Sequence, residues 1–191
     1  MKDTEDFCPN DQKDWRRWLD LNHKKKESVW LIFYKKKSPN YNLSWSDSVD
    51  EALCYGWIDS TKRKIDNEKY KQYFCKRKSK SNWSKINKDK IRRLTEQGLM
   101  QEEGYKSVEV AKENGSWTIL DDVEALLIPK DLTNEFKNYK GSKEYFEGLS
   151  NSEKKILLYW IVSAKRKETR HKRILEITEN GSKHLKPKQF R

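Results

Sequence analysis

The sequence predicts an α+β fold, in which a small antiparallel sheet of about three strands with flanking helices is followed by a C-terminal helical part. One observation is the β-branched and aromatic run Ser28–Tyr34, which is typical of a strand. A second is the pair of strand-like segments Trp57–Lys64 and Lys69–Lys76 on either side of the turn signal Asp66-Asn67. The third is the helical spacing of apolar residues through the rest of the chain.

The first elements in chain order are a helix and a strand. The helix is predicted to begin at a cap within residues 9–11 and to have an apolar face at Trp15, Trp18 and Leu19. Both faces of the strand Ser28–Tyr34 carry apolar or aromatic side chains. We therefore expect this strand to be covered on both sides.

The stretch ALCYGWIDS, residues 52–60, joins the second helix to the predicted hairpin. Ser44 and Asp47 form a capping-box-like start for that helix, which buries its apolar residues up to Leu53. Gly56 stands where a left-handed C′ glycine belongs, because only glycine adopts this conformation without penalty. We expect Gly56 to end the helix and Trp57 to be largely buried.

Asp59 is not explained by this turn. With the hairpin turn at Asp66-Asn67, Asp59 lies opposite Phe74 and diagonal to Lys76. One interpretation is a cross-strand ion pair, and the other is an acid held beside a basic rim for a function. In both cases we expect Asp59 to contact a base at position 76 or 77.

The remaining segments are predicted to be helical. Short helices are expected over residues 121–127, 131–139 and 142–149, and the capping box of Ser150 and Glu153 opens the most apolar helix. The apolar stripe of that helix comprises Ile156, Leu157, Trp160, Ile161 and Ala164. The stripe then loses its phase, which predicts a break near residues 165–169, and the tail after residue 181 is expected to be loose. We divide the chain at 1–115 and 116–191, and expect the two parts to pack as one unit.

The net charge of +12 favours acidic partners such as nucleic acid, anionic lipid headgroups or acidic protein surfaces, although a lysine-rich surface also serves solubility. The charge is uneven. Residues 76–93 contain nine Lys or Arg and one Asp, whereas residues 96–155 contain thirteen acids and eight bases. Such asymmetry indicates one basic face rather than an evenly basic surface.

Three cysteines without a CxxC pair indicate a reducing compartment rather than a disulfide framework. The acidic N-terminal segment does not resemble a secretory signal, and no run approaches 18 apolar residues. We therefore expect a cytoplasmic protein without a transmembrane segment.

Known catalytic and metal-binding motifs are missing from the sequence. It has no HExxH, P-loop, GxGxxG or GxSxG pattern, and its three histidines lack metal-ligand spacing. These absences weaken metal hydrolases, nucleotide-dependent enzymes and serine hydrolases, and we assign no metal, cofactor or catalytic residue. They do not exclude an enzyme whose groups meet only in the fold. Cys54 could be a nucleophile only if exposed beside positive charge, and its place beside Leu53 favours a buried, inert thiol.

The best candidate for binding is the stretch CKRKSKSNWSKIN, residues 75–87, where Ser81 or Ser84 can cap the following helix. A helix N-terminus with nearby bases suits phosphate or carboxylate, whereas the alternative is a solvated face with a capping serine. If Ile86, Ile91 and Leu94 take the inner face, an exposed basic face remains. It comprises Lys78, Lys80, Lys85, Lys88 and Arg92, with Trp83 anchored beneath it.

The second candidate is AKRKETRHKR, residues 164–173, where Arg166, Arg170 and Arg173 fall at helical spacing. These cations suit a polyanion or an acidic partner. Alternatively, Lys165 and Arg170 pair with the acidic middle segment and fix the helix, a structural use that we favour for part of the cluster.

Together, ALCYGWIDS, KSNWSKIN, LTEQGLM, EEGYKSVEVAKENGSW and WIVSAKRKETRHKRI resemble the YdeI/OmpD-associated bacteriocin-protection family, from about Trp15 to Ile174. The family has Thr-Pro-Arg before its Ser-x-Trp-Ser segment, whereas this chain has Cys75-Lys76-Arg77. The arginine is kept and the proline-fixed turn is not. The resemblance implies a small α+β protein linked to bacteriocin protection and to a porin, with no established reaction.

The resemblance also implies a set of ligand-binding positions without chemical roles. They are Gly56, Trp57, Asp59, Arg77, Ser81, Trp83, Ser84, Lys165, Thr169 and Arg170. If both motif segments serve one function, Arg77 or Ser81 should lie within a ligand's width of Lys165 or Arg170.

The sequence thus predicts a cytoplasmic, non-enzymatic binding or stress-protection protein that uses a basic surface. Its partner would be an anionic ligand or an acidic protein surface, with nucleic acid among the candidates. The alternative is an enzyme acting on an anionic small molecule at a cleft near Asp59 and Arg77. Nothing in the sequence specifies an oligomeric state.

Overall fold

The computed structural model describes residues 4–191 and divides the chain into two compact units, with the boundary between Trp117 and Thr118. The predicted α+β class is confirmed, because a small sheet with helices is followed by a C-terminal helical part. Packing of the two parts as one unit stays a prediction.

Within the described residues, the first unit holds one sheet of four strands in the spatial order β1-β2-β4-β3. The strands are β1 (Asp6–Phe7), β2 (Ser28–Tyr34), β3 (Trp57–Lys64) and β4 (Lys69–Lys76). β4 runs antiparallel to both of its neighbours, and β1 runs parallel to β2. The three longer strands have the predicted bounds. The two-residue β1 was not predicted, because it is too short to show a pattern.

The strand β2 is buried on one side only, so the prediction that it is covered on both sides is wrong. Val29, Leu31 and Phe33 are fully buried, whereas Trp30 and Ile32 are partly exposed. The error has a physical cause. An aromatic side chain is apolar enough for a core, yet it can also lie on a solvated face beneath lysine and arginine side chains.

Helices cover the inner side of this sheet. They are α1 (Gln12–Asn22), α2 (Trp45–Cys54), α3 (Lys85–Glu96) and α4 (Glu102–Glu113). Their predicted N-caps are confirmed at Asp11 for α1 and Ser44 for α2. Trp15 packs on Trp18 at 5.3 Å between ring centroids and edge-on against Phe74 at 5.4 Å. Each large buried ring removes roughly 150–250 Å² from water, so a few rings supply much of this core.

The second unit is helical. Its helices are α5 (Asp121–Glu124), α6 (Lys130–Phe136), α7 (Ser142–Gly148), α8 (Asn151–Val162) and α9 (Lys167–Gly181), followed by a 3₁₀ turn at Lys188–Phe190. The capping box of Ser150 and Glu153 is confirmed, as is the break after α8. The predicted stripe of α8 is shifted, because Leu158 is buried while Ile156 is 48% exposed. The tail is not loose, since Phe190 packs on Trp160 at 5.3 Å between ring centroids.

Candidate functional site

Gly56 forms the turn that leads from α2 into β3, as predicted. Its φ is +71°, and a Cβ atom there would lie 2.7 Å from the carbonyl oxygen of Glu103. Any other residue would therefore meet both backbone strain and a clash. The carbonyl oxygen of Gly56 accepts a hydrogen bond of 2.9 Å from the backbone N–H of Arg77. The end of α2 is thereby tied to the segment that follows β4.

Trp57 is fully buried, as predicted, and packs edge-on against Trp18 with ring centroids 5.8 Å apart. A side chain without exposed surface cannot touch a ligand in this state. The position therefore acts by anchoring β3 to the core.

Asp59 does not contact a base at position 76 or 77, so this prediction is wrong, although its pairing with Phe74 across the hairpin is confirmed. Its Oδ2 atom accepts hydrogen bonds from Trp45 Nε1 at 2.9 Å and Gln72 Nε2 at 3.0 Å. Lys76 instead pairs with Glu27 at 2.7 Å. Two features determine which side chains bind Asp59. The strand is irregular between Asp59 and position 62, and Trp45 approaches from α2.

The carboxylate of Asp59 lines an open cavity of about 390 Å³ together with Trp45, Lys62, Tyr70 and Gln72. The Lys62 ammonium lies 4.0 Å from the centroid of the Tyr70 ring. One acceptor, one cation and two aromatic rings could hold a small polar molecule. Trp45 and Gln72 were not recognised in the sequence, because they come from separate elements and carry no local signal.

Arg77 carries a buried charge beside this region. Its guanidinium stacks on Trp83, with Cζ 3.6 Å from the ring centroid, and its Nη2 donates to the carbonyl oxygen of Asn82. Within residues 4–191, its Nε and Nη1 atoms are buried without a hydrogen-bond partner. Burial lowers the pKa of Arg77 to about 10, while the negative charge of Asp59 acts in the opposite direction.

The segment from Arg77 to α3 is held by several fixed contacts. Ser84 caps α3, accepting a hydrogen bond from the N–H of Asn87 at 3.3 Å, whereas the N–H of Ser81 donates to the carbonyl of Lys78 at 2.9 Å. Trp83 is buried, as predicted, with its ring centroid 5.0 Å from that of Trp117.

The predicted basic face is changed in two positions. Ile86 is 66% exposed rather than inward, because it lies five residues before Ile91, which corresponds to roughly 140° of rotation around the helix. Lys88 is partly buried, with its ammonium 5.2 Å from the Trp117 ring centroid. The other members of the predicted face are exposed; they are Lys78, Lys80, Lys85 and Arg92.

Of the candidate ligand-binding residues in the second unit, Arg170 makes a structural contact, whereas Lys165 and Thr169 have no assigned role. Arg170 forms a two-pronged pair with Asp131, with Nε to Oδ2 at 2.6 Å and Nη2 to Oδ1 at 3.0 Å. This pair lowers the pKa of Asp131 and confirms the predicted link to the acidic middle segment. Lys165 is exposed and Thr169 is partly buried.

The structure brings Gly56, Arg77, Trp83 and Ser84 into one contact network within the first unit. Lys165, Thr169 and Arg170 belong to the second unit. A ligand site shared by the two groups therefore stays a prediction.

The cysteines are poorly suited to nucleophilic attack. Burial raises the pKa of the Cys54 thiol to about 11, with the charge of Glu51 acting in the same direction. Burial also raises the pKa of Cys75. The predicted burial of Cys54 is confirmed. A thiol with a raised pKa carries little thiolate near neutral pH, which agrees with the expectation of an inert thiol.

In the part of the chain that the structure describes, no group of three His, Cys, Asp or Glu side chains could hold a metal ion. The helices within residues 4–191 also include none long and apolar enough to cross a membrane.

Comparison with known proteins gives two family matches. Residues 7–107 match the family described as a domain of unknown function (DUF8412). Residues 125–183 match the family described as bacteriocin-protection, YdeI or OmpD-associated. The resemblance inferred from the motifs is thus confirmed, but over a shorter range than expected, since the N-terminal motifs fall within the first match. The curated proteins and the solved structures gave no significant match.

Proposed function

The chain belongs to the family described as domain of unknown function (DUF8412), and because its C-terminal part matches the bacteriocin-protection model, we propose a bacteriocin-protection-like role. In this proposal the protein is a cytoplasmic, non-enzymatic binding protein. It holds an anionic ligand or an acidic protein surface on its own basic surface.

The observation that carries the proposal is a group of unpaired lysines before and at the start of α3, which we call the basic turn (residues 78–85). Lys78, Lys80 and Lys85 are exposed and form no ion pair with any described residue. Some other bases of the first unit are neutralised by acids, as Lys90 is by Asp50 at 2.6 Å. The positive charge of the basic turn is therefore free to meet a partner.

The basic turn is also held in place by the rest of its unit. The carbonyl oxygen of Ser79 accepts hydrogen bonds from Asn114 Nδ2 at 2.8 Å and Ser116 Oγ at 3.3 Å. Arg77, which directly precedes the basic turn, stacks on Trp83 within it. A fixed backbone reduces the ordering cost of binding, which favours recognition over a merely solvated loop.

We expect the triple variant Lys78→Ala, Lys80→Ala, Lys85→Ala to elute from a heparin column at clearly lower salt than the wild type. Each lysine that contacts a polyanion releases counterions. The salt dependence of heparin binding should therefore decrease by the contribution of roughly three contacts. The matched control is Lys137→Ala, Lys140→Ala, Lys183→Ala, which removes the same charge from exposed positions of the second unit outside residues 164–173. Equal elution of the two triple variants would show that net charge alone, not the basic turn, causes retention.

A specific observation also supports the alternative of an enzyme acting on an anionic small molecule. Asp59 and Lys62 face the same cavity of about 390 Å³, so an acid and a base could act on one ligand. In this case inorganic phosphate or a dicarboxylate should raise the melting temperature, and Lys62→Ala should abolish the rise. No rise at millimolar ligand would count against the cavity as a site.

A further inference from the structure

The outer face of the sheet combines aromatic rings with basic side chains, and we define it by Trp30, Tyr34, Arg63, Lys71 and Tyr73. In the strand register, Trp30 pairs with Tyr73 and Arg63 pairs with Lys71. Because side chains alternate along a strand, these positions point away from the buried side that carries Val29, Leu31 and Phe33. The rings on this face are partly exposed, and Arg63 is exposed.

The rings and cations of the outer face are already arranged against each other. Trp30 meets Tyr73 in an edge-to-face contact with centroids 5.1 Å apart. The guanidinium of Arg63 lies 4.8 Å from the Trp30 ring centroid, and the Lys71 ammonium lies 5.1 Å from it. Because both cations lie over the Trp30 ring, a nucleic-acid base that stacks here would meet a guanidinium plane supported by an aromatic ring.

Acidic side chains neutralise only part of this charge. Asp6 pairs with Lys71 at 2.8 Å, and Asp66 pairs with Lys69 at 3.4 Å. Arg63 forms no ion pair with the residues that the structure describes. Further exposed bases lie at the hairpin end of the face; they are Lys35, Lys36 and Lys37. The hairpin end of the face is therefore predominantly basic.

We propose that the outer face binds single-stranded nucleic acid, with unpaired bases stacking on Trp30 and Tyr73 and the phosphates running beside Arg63 and the lysines of the hairpin. Exposed aromatic rings on a sheet can stack only with bases that are free of a duplex, and the surrounding cations match the charge of the backbone. Trp30 and Tyr34 are four residues apart on one strand, roughly 13 Å, so the face accommodates a few nucleotides. This function goes beyond a role in bacteriocin protection and uses a surface other than the basic turn.

The test is fluorescence anisotropy with the full chain and a labelled 12-nucleotide oligo-dT, at low and at moderate salt. Trp30→Leu should weaken binding about 10-fold or more, because it removes one stacking ring, whereas Trp30→Phe should stay within about 3-fold of the wild type. The matched control is Tyr105→Leu, which removes an exposed ring from α4. The same sequence in a duplex should bind more weakly than the single strand.

Arg63→Glu provides a second test if Trp30→Leu does not fold, because Arg63 is exposed. It should weaken the single strand about 10-fold and leave the melting temperature unchanged. Cross-links from an oligonucleotide containing 4-thiothymidine should map to peptides with Trp30 or Tyr73. Absence of binding at low salt by the folded protein, equal affinity for the duplex, or cross-links confined to the basic turn would each overturn the proposal. None of these results depends on the heparin comparison that tests the basic turn.

Discussion

Asp50→Ala is expected to lower the free energy of unfolding by about 3–5 kcal/mol, because it leaves a buried cation without its counterion. Asp50 is 7% exposed and holds two bases of α3. Its Oδ1 lies 2.6 Å from the Lys90 ammonium, and its Oδ2 pairs with Arg93. Arg93 can turn to water because its side chain is 47% exposed, whereas that of Lys90 is only 11% exposed. Chemical denaturation of the wild type and the variant measures the difference.

The double variant Asp50→Leu, Lys90→Met is the control for this prediction. Replacing both buried charges with apolar side chains removes the unpaired cation, so most of the lost stability should return. If Asp50→Ala alone costs less than about 1 kcal/mol, the pair does not connect α2 to α3 in the way described.

Gly104→Ala is expected to cost about 3 kcal/mol or more, since it forces backbone against backbone where α4 crosses the end of α2. A Cβ at Gly104 would lie 2.3 Å from the carbonyl oxygen of Cys54, which also accepts a 3.0 Å hydrogen bond from the N–H of Gln101. On the other side of the same crossing, Gly56 lies against the carbonyl of Glu103. The carbonyl of Cys54 cannot move away without losing its hydrogen bond from Gln101.

Two other glycines serve as controls, because they distinguish the steric clash at Gly104 from the usual effects of replacing a glycine with alanine. Gly98 has a φ of +66° but open space around it, so Gly98→Ala should cost only the roughly 1–2 kcal/mol of a left-handed residue. Gly148, at the end of α7, also has open space around it, and Gly148→Ala should change stability by less than about 1 kcal/mol. Thermal and denaturant unfolding of all three variants would show whether Gly104 stands apart. Equal losses at Gly104 and Gly98 would contradict the close packing of the crossing.

Features that depend on residues close together in the sequence could be predicted. The hairpin register follows from the turn signal Asp66-Asn67, and the place of Gly56 follows from the end of α2. The partner of Asp59 could not be predicted, because Trp45 reaches it from another element and no sequence spacing encodes that approach. Ile86 was misplaced because its apolar side chain suggested the inner face, whereas its position in the helix is rotated by roughly 140° from that of Ile91.

The outer face of the sheet was missed for a different reason. A strand whose partly exposed side carries Trp30, Ile32 and Tyr34 has nearly the same apolar pattern as a fully buried strand. Only the register of β2 against β4 shows that Trp30 lies beside Tyr73 and close to lysine and arginine side chains. The charge in the sequence indicated an anionic partner, but it did not distinguish this surface from the basic turn.

The most direct measurement of the proposed function is the survival of a bacteriocin-sensitive bacterium that expresses this protein. Wild type and the two triple-lysine variants would be compared at matched amounts of folded protein over a dilution series of bacteriocin. The account predicts that the wild type and the variant changed at Lys137, Lys140 and Lys183 protect the cells equally, whereas the variant changed at Lys78, Lys80 and Lys85 loses most of the protection. Full protection by that variant would contradict the role of the basic turn, and no protection by the wild type would contradict the proposed function itself.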